Sequence, residues 1–356
     1  MGLASTPEDH DEEEVQLQMQ DVSDVLQMFF GTIAEPSVSQ LNDVESISFL
    51  EDQAVRLAAG SEGTAHSTAG GLYRSLCSHC HGVGGDGAGP TAIALDPYPR
   101  DFRAGVFKYK STPSTVPPTD EDLDRVLVNG IPGAAMPAYG WLSPKERRAL
   151  IQYVRYLSIR GQLERSLIME IALTLDEGER LLEPEWAKRR KDAYAEQLDV
   201  LQDLLRRPVR SSLEAAERVT QVPATPEDWG SVASIARGRD LFFTARASCS
   251  TCHGEMALGD GQTNGYDQWA QDLDPTNEET LAEYLALGAL PPRHIHPRNL
   301  RLGEYRGGRR PVDLYRRIKN GIAGTPMPSA STQLTSNDIW DLVAYIRQLP
   351  FESVGY

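Results

Sequence analysis

Cysteine is scarce, with four in 356 residues and all of them in two short clusters. That excludes the disulfide framework that staples many small secreted domains. Aromatic residues make up only 7% and the hydrophobic fraction is 40%, so small domains here need more than side-chain packing to fill a core. No apolar run approaches the roughly 18 residues of a membrane span; the best, Leu167 to Leu175, is interrupted by Glu170. Basic residues are nearly absent from the first 70 positions, where fourteen Asp and Glu stand against Arg56 alone, so most of the formal net charge of −16 belongs to that stretch. Nucleic-acid binding needs the reverse, a basic stripe interleaved with aromatics, and no such partner is expected. The acidic stretch reads as a solvated tail or as a surface that steers a basic partner. Within it, Val25 to Phe30 with Ile47, Phe49 and Leu50 give too little pattern to assign a fold.

What is present is a pair of motifs. The cysteines fall as Cys77-Ser78-His79-Cys80-His81 and Cys249-Ser250-Thr251-Cys252-His253. CXXCH is the attachment motif for c-type haem: two thiols three positions apart add to two vinyl groups, and the adjoining His is placed to bind iron. A redox CXXC needs no following His and does not come in pairs. A zinc site would join the Cys pairs and leave each His unexplained. Two covalent haem c groups are therefore expected. Iron in a closed electron-transfer site takes a second axial ligand, usually a thioether, which raises the potential. Behind the first motif comes Asn129-Gly130-Ile131-Pro132-Gly133-Ala134-Ala135-Met136-Pro137, and behind the second Asn320-Gly321-Ile322-Ala323-Gly324-Thr325-Pro326-Met327-Pro328. So much Gly and Pro excludes a helix interior, and the repetition in register marks Met136 and Met327 as ligands.

The correspondence extends further, as a tandem duplication would. Gly71 to Leu76 and Gly238 to Phe243 each read as a helix before the Cys pair. Leu150, Tyr153, Val154 and Leu157 recur as Ile339, Leu342, Val343 and Ile346, an i, i+3, i+4, i+7 stripe on a closing helix. Starts are marked by Ser143 with Pro144 and Glu146, and by Thr335 with Asp338.

These residues resemble the class I cytochrome c family over roughly 66–160 and 231–352. The resemblance implies an all-α fold in each half, with a helix carrying CXXCH, a crossing C-terminal helix and a Met-bearing loop between. It makes His81 and His253 proximal ligands and Met136 and Met327 distal ones. The first half is also similar to di-haem cytochromes of planctomycete type, through Asp96-Pro97-Tyr98-Pro99-Arg100-Asp101-Phe102 and Lys108-Tyr109-Lys110-Ser111-Thr112-Pro113. The expected organisation is an acidic N-terminal extension (1–65), cytochrome c domain 1 (66–160), a helical linker (161–230) and cytochrome c domain 2 (231–356). In this family a Pro carbonyl often orients the proximal His; Pro90 fits that role in the first repeat, while the second has no Pro between His253 and Pro275.

Pro99-Arg100-Asp101-Phe102-Arg103 recurs as Pro297-Arg298-Asn299-Leu300-Arg301. An Arg fork suits the two haem propionates, so Arg100 and Arg298 are expected to contact them, with Arg103 and Arg301 as weaker candidates. Gly82 to Gly87 formally reads GXGXXG, but it follows a His directly and not a strand, so no dinucleotide site is assigned. The Gly-Asp-Gly within it recurs as Gly259-Asp260-Gly261 and reads as a turn of the repeat. His294 and His296, in an insertion over 262–296, read as surface residues first and as replacement ligands second; His10, His66 and His79 receive no role. Gln162 to Arg207 is helical in pattern, with Tyr194, Leu198, Leu201 and Leu205 on one stripe before Pro208, which should stop it.

The expected activity is single-electron transfer between redox partner proteins, as a free carrier or as the cytochrome subunit of a larger membrane complex such as a respiratory or dehydrogenase assembly. A di-haem peroxidase-like enzyme is the alternative. Haem attachment to CXXCH takes place outside the bacterial cytoplasm, so a periplasmic or otherwise extracytoplasmic site is expected. Met1 to Glu14 has neither the cationic start nor the apolar stretch of a secretory signal. The numbering is thus expected to begin at a mature or engineered end, or behind a removed anchor.

Overall fold

A computed structural model describes residues 12–39, 50–60, 71–176, 179–182 and 186–352; His10, Ile47, Phe49 and His66 lie outside them. Among the described residues there is no strand, and only two isolated bridges occur, Gly31 with Pro36 and Tyr266 with His294. The principal helices are α1 (Glu12–Phe30), α2 (Asp52–Ala59), α3 (Gly71–Leu76), α4 (Ser78–His81), α5 (Asp120–Asn129), α6 (Pro144–Thr174), α7 (Lys191–Leu213), α8 (Val232–Phe243), α9 (Cys249–His253), α10 (Pro311–Asn320) and α11 (Ser336–Gln348). They divide between two compact units: Met1–Ala94, Tyr98–Val106 and Leu142–Glu214 form the first, and Leu95–Pro97, Phe107–Trp141 and Ala215–Tyr356 the second.

The first unit is organised around α6. Ser143 and Glu146 form a reciprocal capping box and Pro144 occupies the first turn, satisfying amide groups that a helix start otherwise leaves orphaned. The expected stripe is buried at Leu150, Tyr153 and Leu157, and burial continues through Leu163 and Leu167, so the helix runs past residue 160 instead of ending with the repeat. α1, α2 and α7 all pack on it. The acidic N-terminal stretch is therefore no solvated tail over α1: Val22, Val25, Leu26, Phe29 and Phe30 are buried. The Tyr156 hydroxyl donates to the Phe30 carbonyl at 3.0 Å and the Tyr153 hydroxyl to that of Ile33 at 3.0 Å. Burial on this scale contributes on the order of 1.5–3 kcal/mol per large side chain, and the buried Asp21 carboxylate of the helix is met by the Arg180 guanidinium, Nε to Oδ2 at 3.1 Å. Pro208 does not stop α7 either. It lies inside the helix with Leu201, Leu205 and Val209 buried alongside it. The roughly 3 kcal/mol that an interior proline costs is offset by that apolar face.

In the second unit α8 crosses α11 at Gly238, where a Cβ would lie 2.0 Å from the Asp341 carbonyl oxygen. Beneath the crossing Asp341 is buried and accepts from Ser234 Oγ at 2.7 Å and Arg237 Nε at 2.6 Å. Phe242, Tyr315, Trp340, Leu342 and Val343 form the core. The second closing stripe, Ile339 to Ile346, is buried as expected, behind a Thr335–Asp338 capping box.

The unit limits differ from boundaries at 160 and 231 because hydrogen bonds tie Phe107–Trp141 to the second repeat. The Asn320 side-chain amide donates to the Thr112 carbonyl at 3.1 Å and accepts from Thr220 Oγ1 at 2.9 Å, and Thr220 N donates to the Ser111 carbonyl at 2.9 Å.

Candidate functional site

Each attachment motif forms a short helix held at the same two points. In the first, α4 carries Cys80 and His81 while Cys77 precedes it. In the second, α9 contains Cys249, Cys252 and His253. All four thiols are unpaired. Burial pushes the Cys77 thiol up to about 12 and that of Cys249 up to about 11, so both stay protonated at neutral pH.

His81 Nδ1 lies 3.0 Å from the Arg100 carbonyl oxygen, and His253 Nδ1 lies 3.0 Å from that of Arg298. A carbonyl only accepts, so Nδ1 carries the proton in both rings and Nε2 presents its lone pair. Burial lowers the pKa of each imidazole, against the opposing effect of that hydrogen bond, which keeps both neutral. The His81 ring also stacks on Phe102 at 4.5 Å between centroids. A neutral imidazole with a fixed tautomer beside free thiols is the donor set that covalent haem requires, and these residues fit that group.

This corrects the role given to Pro90, which is exposed and does not orient His81. The supporting carbonyl is that of Arg100, and the second repeat uses the matching Arg298, so the missing proline there has no consequence. The recurring Pro-Arg segment thus has a backbone function that the arginine type does not announce. Two glycines complete the support. Gly87 N donates to the His81 carbonyl at 2.8 Å and Gly259 N to that of His253 at 2.8 Å. Both have positive φ, and a Cβ would lie 2.7 Å from the Pro99 carbonyl oxygen at Gly87 and 2.3 Å from that of Pro297 at Gly259. The two copies of Gly-Asp-Gly are therefore offset in register: the equivalent residues are Gly87 and Gly259, six after each His.

The methionine loops share one conformation. Ile131 N donates to the Met136 carbonyl and Ile322 N to the Met327 carbonyl, each at 3.1 Å, and Gly130, Gly133, Gly321 and Gly324 have φ of 62°, 70°, 70° and 71°. Positive φ is what glycine permits at little cost. Met136 and Met327 are both half-buried. Met327 packs against the core of the second unit, which also holds Cys249. The segment bearing Met136 belongs to the second unit, whereas Cys77, Cys80, His81 and Arg100 belong to the first.

The remaining sequence candidates separate clearly. Arg103 is engaged by Asp101, with Nε to Oδ1 at 3.1 Å and an NH2 contact to Oδ2 at 2.9 Å, and Arg301 donates to the Met256 carbonyl at 2.6 Å and the Glu352 carbonyl at 3.2 Å. The Arg298 guanidinium is 3.5 Å from Glu304, and its buried Nε has no hydrogen-bond partner, an orphaned donor of the kind a propionate would satisfy. Arg100 is half-buried. His294 is exposed and its ring lies 4.5 Å from that of Tyr266; His296 and His79 are exposed as well. No group of three or more His, Cys, Asp or Glu among the described residues is arranged to hold a metal ion.

Comparison with known proteins agrees with this architecture. Residues 64–154 match the family model described as cytochrome c oxidase, cbb3-type, subunit III, and residues 235–350 match that described as cytochrome c. The chain carries two cytochrome c domains in tandem, which imply covalent haem c and its iron. A solved chain of the Kuenenia stuttgartiensis reducing HAO-like protein complex is similar in fold, with a TM-score of 0.53 and 23% identity over 78% of this chain and 93% of that one. No curated protein matches the chain. No helix among the described residues is long and apolar enough to cross a membrane.

Proposed function

We propose that this di-haem c-type cytochrome passes single electrons between redox partner proteins, outside the cytoplasm, and that it does so as a subunit of a larger assembly or as a free carrier. The observation that carries the reading is the repeated histidine support: two imidazoles, each with Nδ1 3.0 Å from the carbonyl of a corresponding arginine. Haem, when bound, supplies the reversible one-electron couple at iron. Cys77, Cys80, Cys249 and Cys252 would hold it covalently, His81, His253, Met136 and Met327 would be the iron ligands, and Arg298, with Arg100, would meet the propionates. What the chain's residues do is fix ligand geometry, so that little rearranges when an electron arrives, and keep both imidazoles neutral. The likeness to a chain of a multi-protein complex supports the subunit form.

The test is spectroscopic. Denatured protein should give two haems per chain in a pyridine haemochrome assay, and native ferric protein should be low-spin at both irons, with the weak long-red charge-transfer band of sulfur ligation. A high-spin iron with peroxide turnover above that of free haem would replace the carrier with a peroxidase-like enzyme.

A further inference from the structure

Away from the attachment motifs, the second unit collects positive charge around one small cavity. Lys108, Lys110 and Arg125 come to it from the first repeat, Arg316 and Arg317 from α10 in the second. In a chain of net charge −16, five cations gathered in one place repel one another unless something negative joins them.

The local carboxylates fill that need only in part. Asp313 is held by Arg310, through Nε at 2.9 Å and NH2 at 2.7 Å. Asp122 accepts from Ser111 N at 2.7 Å and Ser111 Oγ at 2.8 Å, and its other oxygen is 3.4 Å from Arg125. Asp267 lies 3.4 Å from Lys108 and caps a short helix through Ala270 N. Lys110 spends its hydrogens on the carbonyls of Pro113, Ser114 and Val116. Arg317 donates to the Gly308 carbonyl at 3.0 Å and Arg316 to that of Thr220 at 3.4 Å; among the described residues neither meets a carboxylate. Burial draws both guanidinium groups below their ordinary range and Lys110 down to about 8. Lys108 and Arg125 are thus met by carboxylates and Asp313 lines the cavity, so the surplus positive charge rests with Lys110, Arg316 and Arg317.

Size narrows the ligand. The cavity offers about 20 Å³ to the centre of a water-sized group, somewhat above the roughly 10–15 Å³ that one water needs. A carboxylate or small oxyanion head fits; a nucleotide does not.

We propose that this cavity is a carboxylate or oxyanion site built jointly by the two repeats, in which Arg316 and Arg317 donate the hydrogen bonds while Lys108, Lys110 and Arg125 supply the field. Two sources share that chemistry. Gly321, in the cavity wall, opens the loop that ends at Met327, so one source is a propionate of the haem on His253; the other is a free oxyanion such as phosphate.

The experiment uses the full holoprotein, inorganic phosphate as probe, the variants Arg317→Gln and Arg316→Gln, and Arg309→Gln, at an exposed position, as charge-matched control. A free-anion site gives saturable phosphate binding by calorimetry, weakened at least tenfold in both test variants and unchanged in the control. A propionate site gives no phosphate binding, but the midpoint potential of the second haem falls further in both test variants than in the control. Phosphate binding untouched by either variant, or no binding together with potentials that match the control, overturns the proposal. A chain lacking haem or any redox wave would instead refute electron transfer, and the phosphate arm would still read out.

Discussion

Replacing Gly238 with Ala tests the helix crossing that holds the second domain together. In a helix interior this change ordinarily stabilises by about 1 kcal/mol, because alanine is the better helix former. Here the sign should reverse. A Cβ at 238 would stand 2.0 Å from the Asp341 carbonyl oxygen and 2.5 Å from its carbon, and neither atom belongs to a side chain that can rotate away. Restoring ordinary contact requires α8 and α11 to part by more than 1 Å. Overpacking of this kind costs typically 1–3 kcal/mol, and the separation also pulls at the bonds from Ser234 and Arg237 to the buried Asp341 carboxylate, worth about 1.5–3 kcal/mol each where a charged group takes part. Set against the propensity gain, the net loss is about 2–4 kcal/mol. For a unit of this size that corresponds to a fall in Tm on the order of 4–16 °C. Calorimetry of the holoprotein, with Gly84→Ala as a control because a Cβ there meets nothing within 4 Å, measures it. A Gly238→Ala variant as stable as the parent would refute the crossing geometry.

Four further outcomes are expected. Pro90→Ala should leave the first haem's potential and spectrum unchanged, since the Arg100 carbonyl and not Pro90 supports His81; a shift seen by spectroelectrochemistry would reinstate the proline. Gly259→Ala should cost about 2 kcal/mol or more, from a left-handed φ of 83° and a backbone clash, and should broaden the second haem's ferric spectrum because the Arg298 peptide is displaced. Met327→Ala should abolish the sulfur band of the second haem and lower its potential, within the roughly 0.8 V that axial ligands command, with the first haem unaffected. As for pH, burial depresses both histidines below 6.5, so the stability carried by their neutral forms is intact above that value and is lost as pH falls through the folded-state values. An acid titration should therefore stay low-spin through pH 6.5, and a high-spin transition at or above it would contradict buried, neutral imidazoles.

How much was legible in the sequence depended on whether the signal resided in side chains. The helix starts at Ser143 and Thr335 and the buried stripes of α6 and α11 follow from hydrogen-bonding side chains and apolar periodicity, both visible in a string of residues. The end of α6 was not legible, because Leu163 and Leu167 continue the stripe and nothing marks a stop at 160. Pro208 misled for the opposite reason: its local cost is readable, while the apolar face that offsets it exists only against α6. The acidic N-terminus hid a helix because net charge carries no positional information, whereas the burial of α1 rests on five apolar residues spread over nine positions. The attachment motifs were legible because covalent chemistry fixes their spacing, and the methionine loops because their Gly and Pro repeat in register; the histidine support was not, since any residue can lend a carbonyl.

That distinction explains why the two sites are alike where the sequences differ. A support made of backbone constrains only the shape of the chain. What must persist is a residue that lets the Pro-Arg segment approach each histidine helix, and Gly87 and Gly259 do this by having no Cβ. The neighbouring side chains are then released for other work. Asp101 and its counterpart Asn299 both accept from the backbone N–H two residues on, but only Asp101 also binds its neighbour's guanidinium, that of Arg103; Arg298 leaves one buried nitrogen unsatisfied. Two domains that need the same neutral imidazole can thus differ in charge around it, and the field set by such charge is one of the levers on a haem's potential.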